Sequence, residues 1–295
     1  MHAAPLPLLV TLVALCGVVA LIAAVRRPAR PEGVSSRRVT RFGDAPWATV
    51  VLAMAVAALA LWDSRTALLL VFALVSTAAL GEFLAPGASN ATGSPVRVLG
   101  CYLCVPLQYA FVASGRYELF AVALPLFGAL ALPLLALAQD GGRAFPERIA
   151  ERYWIVMVCV YCVSYAPALL TLDAPDTSGL VAFLVAMTFA CQALCTVASR
   201  SRVWQLRKPA TMTVAGLAGA ATMAALGLML AWLTPFSIAL AVALALLIAA
   251  AGALGDSVLR ATRIDGAFAE VRWQPGALAF AAPVFFHAAR AWTTS

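Results

Sequence analysis

Residues 236–254 read FSIALAVALALLIAAAGAL, and residues 255–265 read GDSVLRATRID. The first stretch runs nineteen residues without a charge. At 1.5 Å per residue that is about 28 Å of helix, close to the roughly 30 Å hydrocarbon thickness of a bilayer. The second stretch adds two arginines and two aspartates at once, so lipid solvates one segment and water or headgroups the next. This alternation recurs through all 295 residues, of which 63% are hydrophobic and 11% charged, with a mean hydropathy of +0.94. A soluble domain carries about 25% charged residues. Half of that charge cannot cover a solvated surface, so much of this surface faces lipid. The same numbers exclude a disordered chain, collagen, a coiled coil and a disulfide scaffold. The net charge of +7 does not point to nucleic acid, because the basic residues lie between apolar runs and not on one face of a soluble fold.

Ten runs are long and apolar enough to be predicted as spans, at about 5–25, 46–62, 66–84, 98–114, 118–138, 153–172, 179–198, 213–234, 236–254 and 277–292. The fold class expected is all-α, a polytopic helical bundle of about ten transmembrane helices in a single domain, 1–295. The first run has no basic lead and no A-x-A site behind it, which predicts a retained span. Numbering the loops alternately puts seventeen of the twenty basic residues on one side and leaves Arg65, Arg116 and Arg290 on the other. Cytoplasmic loops collect Lys and Arg, so the basic side is expected to be cytoplasmic, both termini outside, and the membrane a bacterial inner membrane.

Trp47, Trp62, Trp154, Trp232 and Trp292 fall near run ends, as an aromatic belt requires. Prolines 106, 125, 133 and 167 lie inside runs; kinks are expected there, with neighbouring helices and polar side chains satisfying the carbonyls they release. The stretch GLAGAATMAALG, 216–227, spaces small residues by four and suits close helix contact, and its Gly216–Gly219 face permits a homodimer. Cysteines 16, 101, 104, 159, 162, 191 and 195 all sit in apolar runs. The two C-x-x-C pairs lack a nearby His or carboxylate in sequence, so they read as packing residues and not as zinc ligands. His2 and His287 give little support to a His-based relay. Glu82 reads as an interface carboxylate, and Gln108 and Gln192 as interhelical hydrogen-bonding groups.

Four stretches carry a family resemblance: GEFL at 81–84, CYLCVPLQYAF at 101–111, ASRSRVWQLRKPATMTVAGLAG at 198–219, and GALGDSVLRATRID followed by AFAAPVFFHAAR. In this order the chain resembles the phosphatidate cytidylyltransferase (CDP-diacylglycerol synthase) family of integral membrane proteins. It divides accordingly into 1–45, a span with a basic loop; 46–198, central helices; and 199–295, the signature region. The resemblance implies that the phosphate of phosphatidic acid attacks the α-phosphorus of CTP and releases pyrophosphate. It implies Mg²⁺ on carboxylates, with Lys and Arg holding the remaining phosphate oxygens.

Set against the family pattern, the acid before the basic loop falls on Cys191 or Gln192. The loop's lysine falls on Thr211 or Met212 and its glutamate on Val214. The G-D pair falls on Gly252-Ala253 if Ser257 and Arg260 are matched, or on Gly255-Asp256 if the literal pair is kept. Asp265 stands for the following K-D, and 266–276 supplies neither the histidine nor the acids expected there. Asp256 and Asp265 are therefore the metal and catalytic candidates. Arg207, Lys208, Ser257, Arg260 and Arg263 are the candidates for holding a lipid or nucleotide phosphate. Three functions are open: a working cytidylyltransferase, an inactive relative that binds lipid or forms a complex, and a small transporter. Paired half-chains with broken helices would favour the last, and the sequence shows none.

Overall fold

The computed structural model describes residues 65–83, 95–140, 145–174, 176–200, 209–264 and 276–294. Every regular element among them is helical: α1 (Arg65–Phe83), α2 (Pro95–Ser114), α3 (Tyr117–Asp140), α4 (Phe145–Val156), a π-helical turn (Met157–Cys162), α5 (Val163–Ala168), a 3-10 turn (Leu169–Thr171), α6 (Thr177–Arg200), α7 (Pro209–Met229), a 3-10 turn (Ala231–Leu233), α8 (Ile238–Ile264) and α9 (Gly276–Thr293). The predicted runs from 66 onward fall on these elements, with 153–172 divided among α4, the π turn, α5 and a 3-10 turn, and 213–234 running past α7 into the second 3-10 turn; the runs at 5–25 and 46–62 lie outside the described residues. Among the described residues three segments are long and apolar enough to cross a membrane, Arg152–Thr171, Thr177–Cys195 and Ile238–Gly255, of 20, 19 and 18 residues. Arg65–Gly81, Cys101–Ser114, Tyr117–Ala131 and Gly216–Met229 are apolar but shorter.

Two helices extend well past their apolar runs. α4 begins at Phe145, before the run at 153, and α8 continues to Ile264, ten residues past the run's end. Apolarity marks where lipid is, not where the helix stops. Leu, Ala and Arg are good helix formers and no proline interrupts 238–264, so the backbone keeps its internal hydrogen bonds into the headgroup zone.

The helices gather into two compact units. In the first, spanning Leu69–Tyr161, α2 packs on α3 and on α4, and α3 packs on α4. Phe72, Leu80, Tyr109, Phe120 and Leu124 form its centre, each 2% exposed or less. Polar side chains tie the helices together from inside. The Tyr109 hydroxyl donates to the Phe72 carbonyl at 2.8 Å and meets Ser76 Oγ at 2.8 Å. Gln108 Nε2 donates to the Phe120 carbonyl at 3.2 Å, the interhelical role expected of it. The Tyr161 hydroxyl donates to the Ala121 carbonyl at 2.9 Å. The outer face of α3 presents Leu119, Val122, Leu126, Leu130 and Leu134, 43–66% exposed, an apolar stripe suited to acyl chains.

In the second unit α9 packs on α5 and α6, and α6 packs on α7 and both 3-10 turns. Phe183 stacks on Phe285 at 5.9 Å, and Tyr165 meets the edge of Phe286 at 5.3 Å. Asp176 caps α6: its Oδ1 accepts from the Gly179 amide and from Ser178 Oγ, both at 3.2 Å, while its own φ is 63°. Asp tolerates this left-handed conformation better than most residues. A Cβ on Gly179 would run into the Leu233 carbonyl oxygen. Of the small residues in 216–227, Gly227 makes the close contact, since a Cβ there would lie 2.5 Å from that of Ala245 on α8; nothing lies within 4 Å of a Cβ at Gly216 or Gly219. Trp232 is 73% exposed, and Trp292 packs edge-on against Phe236 at 4.8 Å.

Candidate functional site

α8 carries four of the expected site positions. Asp256, Ser257, Arg260 and Arg263 lie on its last turns and not in a loop, and Asp256, Arg260 and Arg263 follow i, i+4, i+7 spacing, which places their Cα atoms on one face. The apolar window of this helix ends at Gly255. Arg260 therefore stands about 7 Å and Arg263 about 12 Å beyond it along the axis. The headgroup zone on each side of a bilayer is about 5–7 Å deep, so with Gly255 at the hydrocarbon edge Arg260 falls at the outer limit of that zone and Arg263 beyond it, from where a long arginine side chain can reach back to lipid phosphate. Ser257 is exposed, and its Oγ donates back to the Ala253 carbonyl at 2.8 Å. Asp265, Arg207 and Lys208 lie outside the described residues.

One turn deeper, three helices converge beside Cys191, one of the positions where the resemblance implies an acid. Cys191 on α6 donates from Sγ to the Ala249 carbonyl of α8 at 3.6 Å. A Cβ on Gly252 would sit 2.9 Å from that sulfur and 3.3 Å from the Cβ of Ala277 on α9. The two stretches matched to separate family motifs, around 191 and around 252, are thus neighbours in space. Sequence order does not show this; only the packing of α6 on α8 does. The junction is built from a thiol, a bare Cα and a methyl, and it is closed.

The first unit holds a residue that sequence reasoning placed wrongly by environment. Arg152, counted with the basic loop residues, is 4% exposed, and its guanidinium lies close enough to Cys101 to act on it electrostatically. Its signal in the sequence is position, since Arg152 directly precedes the aromatic head of an apolar run. Cys101, Cys104, Cys159, Cys162, Cys191 and Cys195 are present as thiols. Among the described residues no three His, Cys, Asp or Glu side chains gather closely enough to hold a metal ion. His287 is exposed on α9, with its ring 5.6 Å from Tyr165 and 5.7 Å from Phe286.

The chain is similar to the Escherichia coli (strain K12) uncharacterized protein YnbB, at 28% identity over 204 residues, covering 63% of this chain and 68% of YnbB. No protein-family model matches it, and no solved structure matches it.

Proposed function

We propose that this chain is an integral membrane protein of the phosphatidate cytidylyltransferase type, which holds the phosphate of phosphatidic acid at the polar end of α8. The observation that carries this reading is the position of Arg260 and Arg263 on one helical face of α8, five and eight residues beyond its apolar window. Basic residues at that level attract anionic headgroups at about 1 kcal/mol each. The reading includes about ten spans, of which the described residues supply three by length and apolarity. It also includes the basic loops on the cytoplasmic side of a bacterial inner membrane, and CTP as the second substrate. The open Gly216–Gly219 face of α7 is where helices of a homodimer would pair.

Mg²⁺ is the ion this chemistry would use, and it prefers hard oxygen donors. The donors the structure describes, Cys191 and Ser257, do not fit it, and the side chains of Asp256 and Asp265 lie outside the described residues. Cys191 offers a thiol already turned to Ala249, and the Ser257 hydroxyl is turned to Ala253. Purified protein given CTP, Mg²⁺ and phosphatidic acid is expected to release pyrophosphate; no release, where an active cytidylyltransferase releases it, defeats the catalytic half of the reading.

A thiol at Cys191 and a methyl at Ala253, where the resemblance implies acids, favour a second reading, in which the helical shell and lipid binding are kept without turnover. Retention of phosphatidic acid with no pyrophosphate released would establish it, and loss of turnover on Asp256→Ala would exclude it.

A further inference from the structure

Pro125 lies inside α3 and brings no N–H, so the carbonyl of Ala121, four residues earlier, loses its ordinary helical partner. In an apolar surrounding that loss is costly and must be made good by another donor. The donor is the Tyr161 hydroxyl, at 2.9 Å. Tyr161 comes from the π-helical turn Met157–Cys162, and its ring stacks on Phe120 with centroids 6.3 Å apart and planes at 21°. A π turn carries one more residue per turn than the α-helix on either side. Without that residue, side chains beyond the turn would rotate by about 100° relative to those before it. The neighbouring Phe120 carbonyl is held from another helix, by Gln108 Nε2 at 3.2 Å. The first turn of α3 is thus gripped from α2 and from the π turn, just before the residue at which it can bend.

We infer that Tyr161, the π turn and Pro125 form one conformational latch: the hydroxyl replaces the hydrogen bond that Pro125 removes, and α3 bends at Pro125 only when Tyr161 releases Ala121. A helix with a proline and no latch would flex there continually. A latched one has two discrete states, which is what a protein that opens to admit a ligand between helices requires. This inference stands independently of the lipid and nucleotide chemistry proposed above.

The test is hydrogen–deuterium exchange on the full chain in nanodiscs, read on peptides covering residues 117–131, for the wild type, Tyr161→Phe, Pro125→Ala and the double variant. Interhelical hydrogen bonds in membrane proteins have strengths that correspond to about a 3- to 20-fold change in an opening equilibrium. Tyr161→Phe is expected to raise exchange in these peptides by that factor. Pro125→Ala restores a backbone N–H for Ala121, so adding Tyr161→Phe in that background is expected to change exchange less than about two-fold, a non-additivity that marks direct coupling. Equal effects of Tyr161→Phe in both backgrounds, or none in the wild type, overturn the latch. Should Tyr161→Phe alone fail to fold, recovery of folded protein on adding Pro125→Ala supports it, and failure of both overturns it.

Discussion

Alanine in place of glycine on α7 separates two effects that act in opposite directions. Within a helix, Gly→Ala gains about 0.5–1 kcal/mol, because glycine loses the most backbone freedom on folding. At Gly219 nothing lies within 4 Å of the new methyl, so that gain is expected in full. At Gly227 the same methyl would lie 2.5 Å from the Cβ of Ala245, against 3.4–4 Å for ordinary contact. Neither atom is the tip of a flexible side chain, so α7 and α8 must part by about 1 Å. Overpacking of this kind costs about 1–3 kcal/mol. Gly227→Ala is therefore expected to lose up to about 2.5 kcal/mol net, and the two variants to differ by about 1–3 kcal/mol, at least about fivefold in their unfolding constants. Titration from mild detergent into SDS, followed by far-UV circular dichroism, measures both midpoints. A Gly227→Ala midpoint at or above that of Gly219→Ala would refute the close seam between α7 and α8.

Three further outcomes follow from local geometry. Gly252→Val should destabilise the protein more than Gly227→Ala, since its branches meet both Cys191 and Ala277, and combining it with Cys191→Ala should recover part of the loss in the same titration. Asp176→Asn should leave the SDS midpoint near wild type, because Asn caps helices and accepts a positive φ, whereas Asp176→Ala should lose about 1–2 kcal/mol. Arg260→Gln with Arg263→Gln should reduce retention of phosphatidic acid by the detergent-solubilised protein by about tenfold or more at low salt, with retention of phosphatidylcholine unchanged, as measured by native mass spectrometry.

The helices were legible because each apolar run must satisfy its own backbone in lipid, and only a helix does so within one segment. Their faces were much less so. α3 is apolar on its exposed side at Leu126 and Leu130 as well as on its buried side at Phe120 and Leu124, so the hydrophobic pattern carries little information on which side packs. For the same reason the small-residue stretch on α7 was recognisable while its contact point was not: Gly216, Gly219 and Gly227 look alike until Ala245 is placed opposite one of them. Gln108 was read as an interhelical group, and it bonds Phe120 of α3. The π turn had no compositional mark, being MVCVYC within an apolar run. Arg152 was assigned by its charge to the loops, yet it is buried, because a charge beside an aromatic run end can turn inward as readily as outward. Asp256 falls beyond the predicted run 236–254 yet is helical, since charged residues after an apolar run mark the edge of the lipid and leave the helix end undefined.

α8 meets α7 at Ala245 and the α6–α9 pair at Gly252, two points about 10 Å apart where backbone or methyl meets methyl or sulfur with little side chain between. Ala245, Gly252 and Ala277 have no rotamers through which to yield. Beyond the second grip, Arg260 rides about 12 Å further along the same rod, so its stretch of α8 is a short cantilever with a fixed root. A load applied at its tip deflects the tip by bending and does not shift the root. An anion caught there is consequently held at a constant depth, and a rearrangement that relocates it must tilt α8 together with the helices clamped to it.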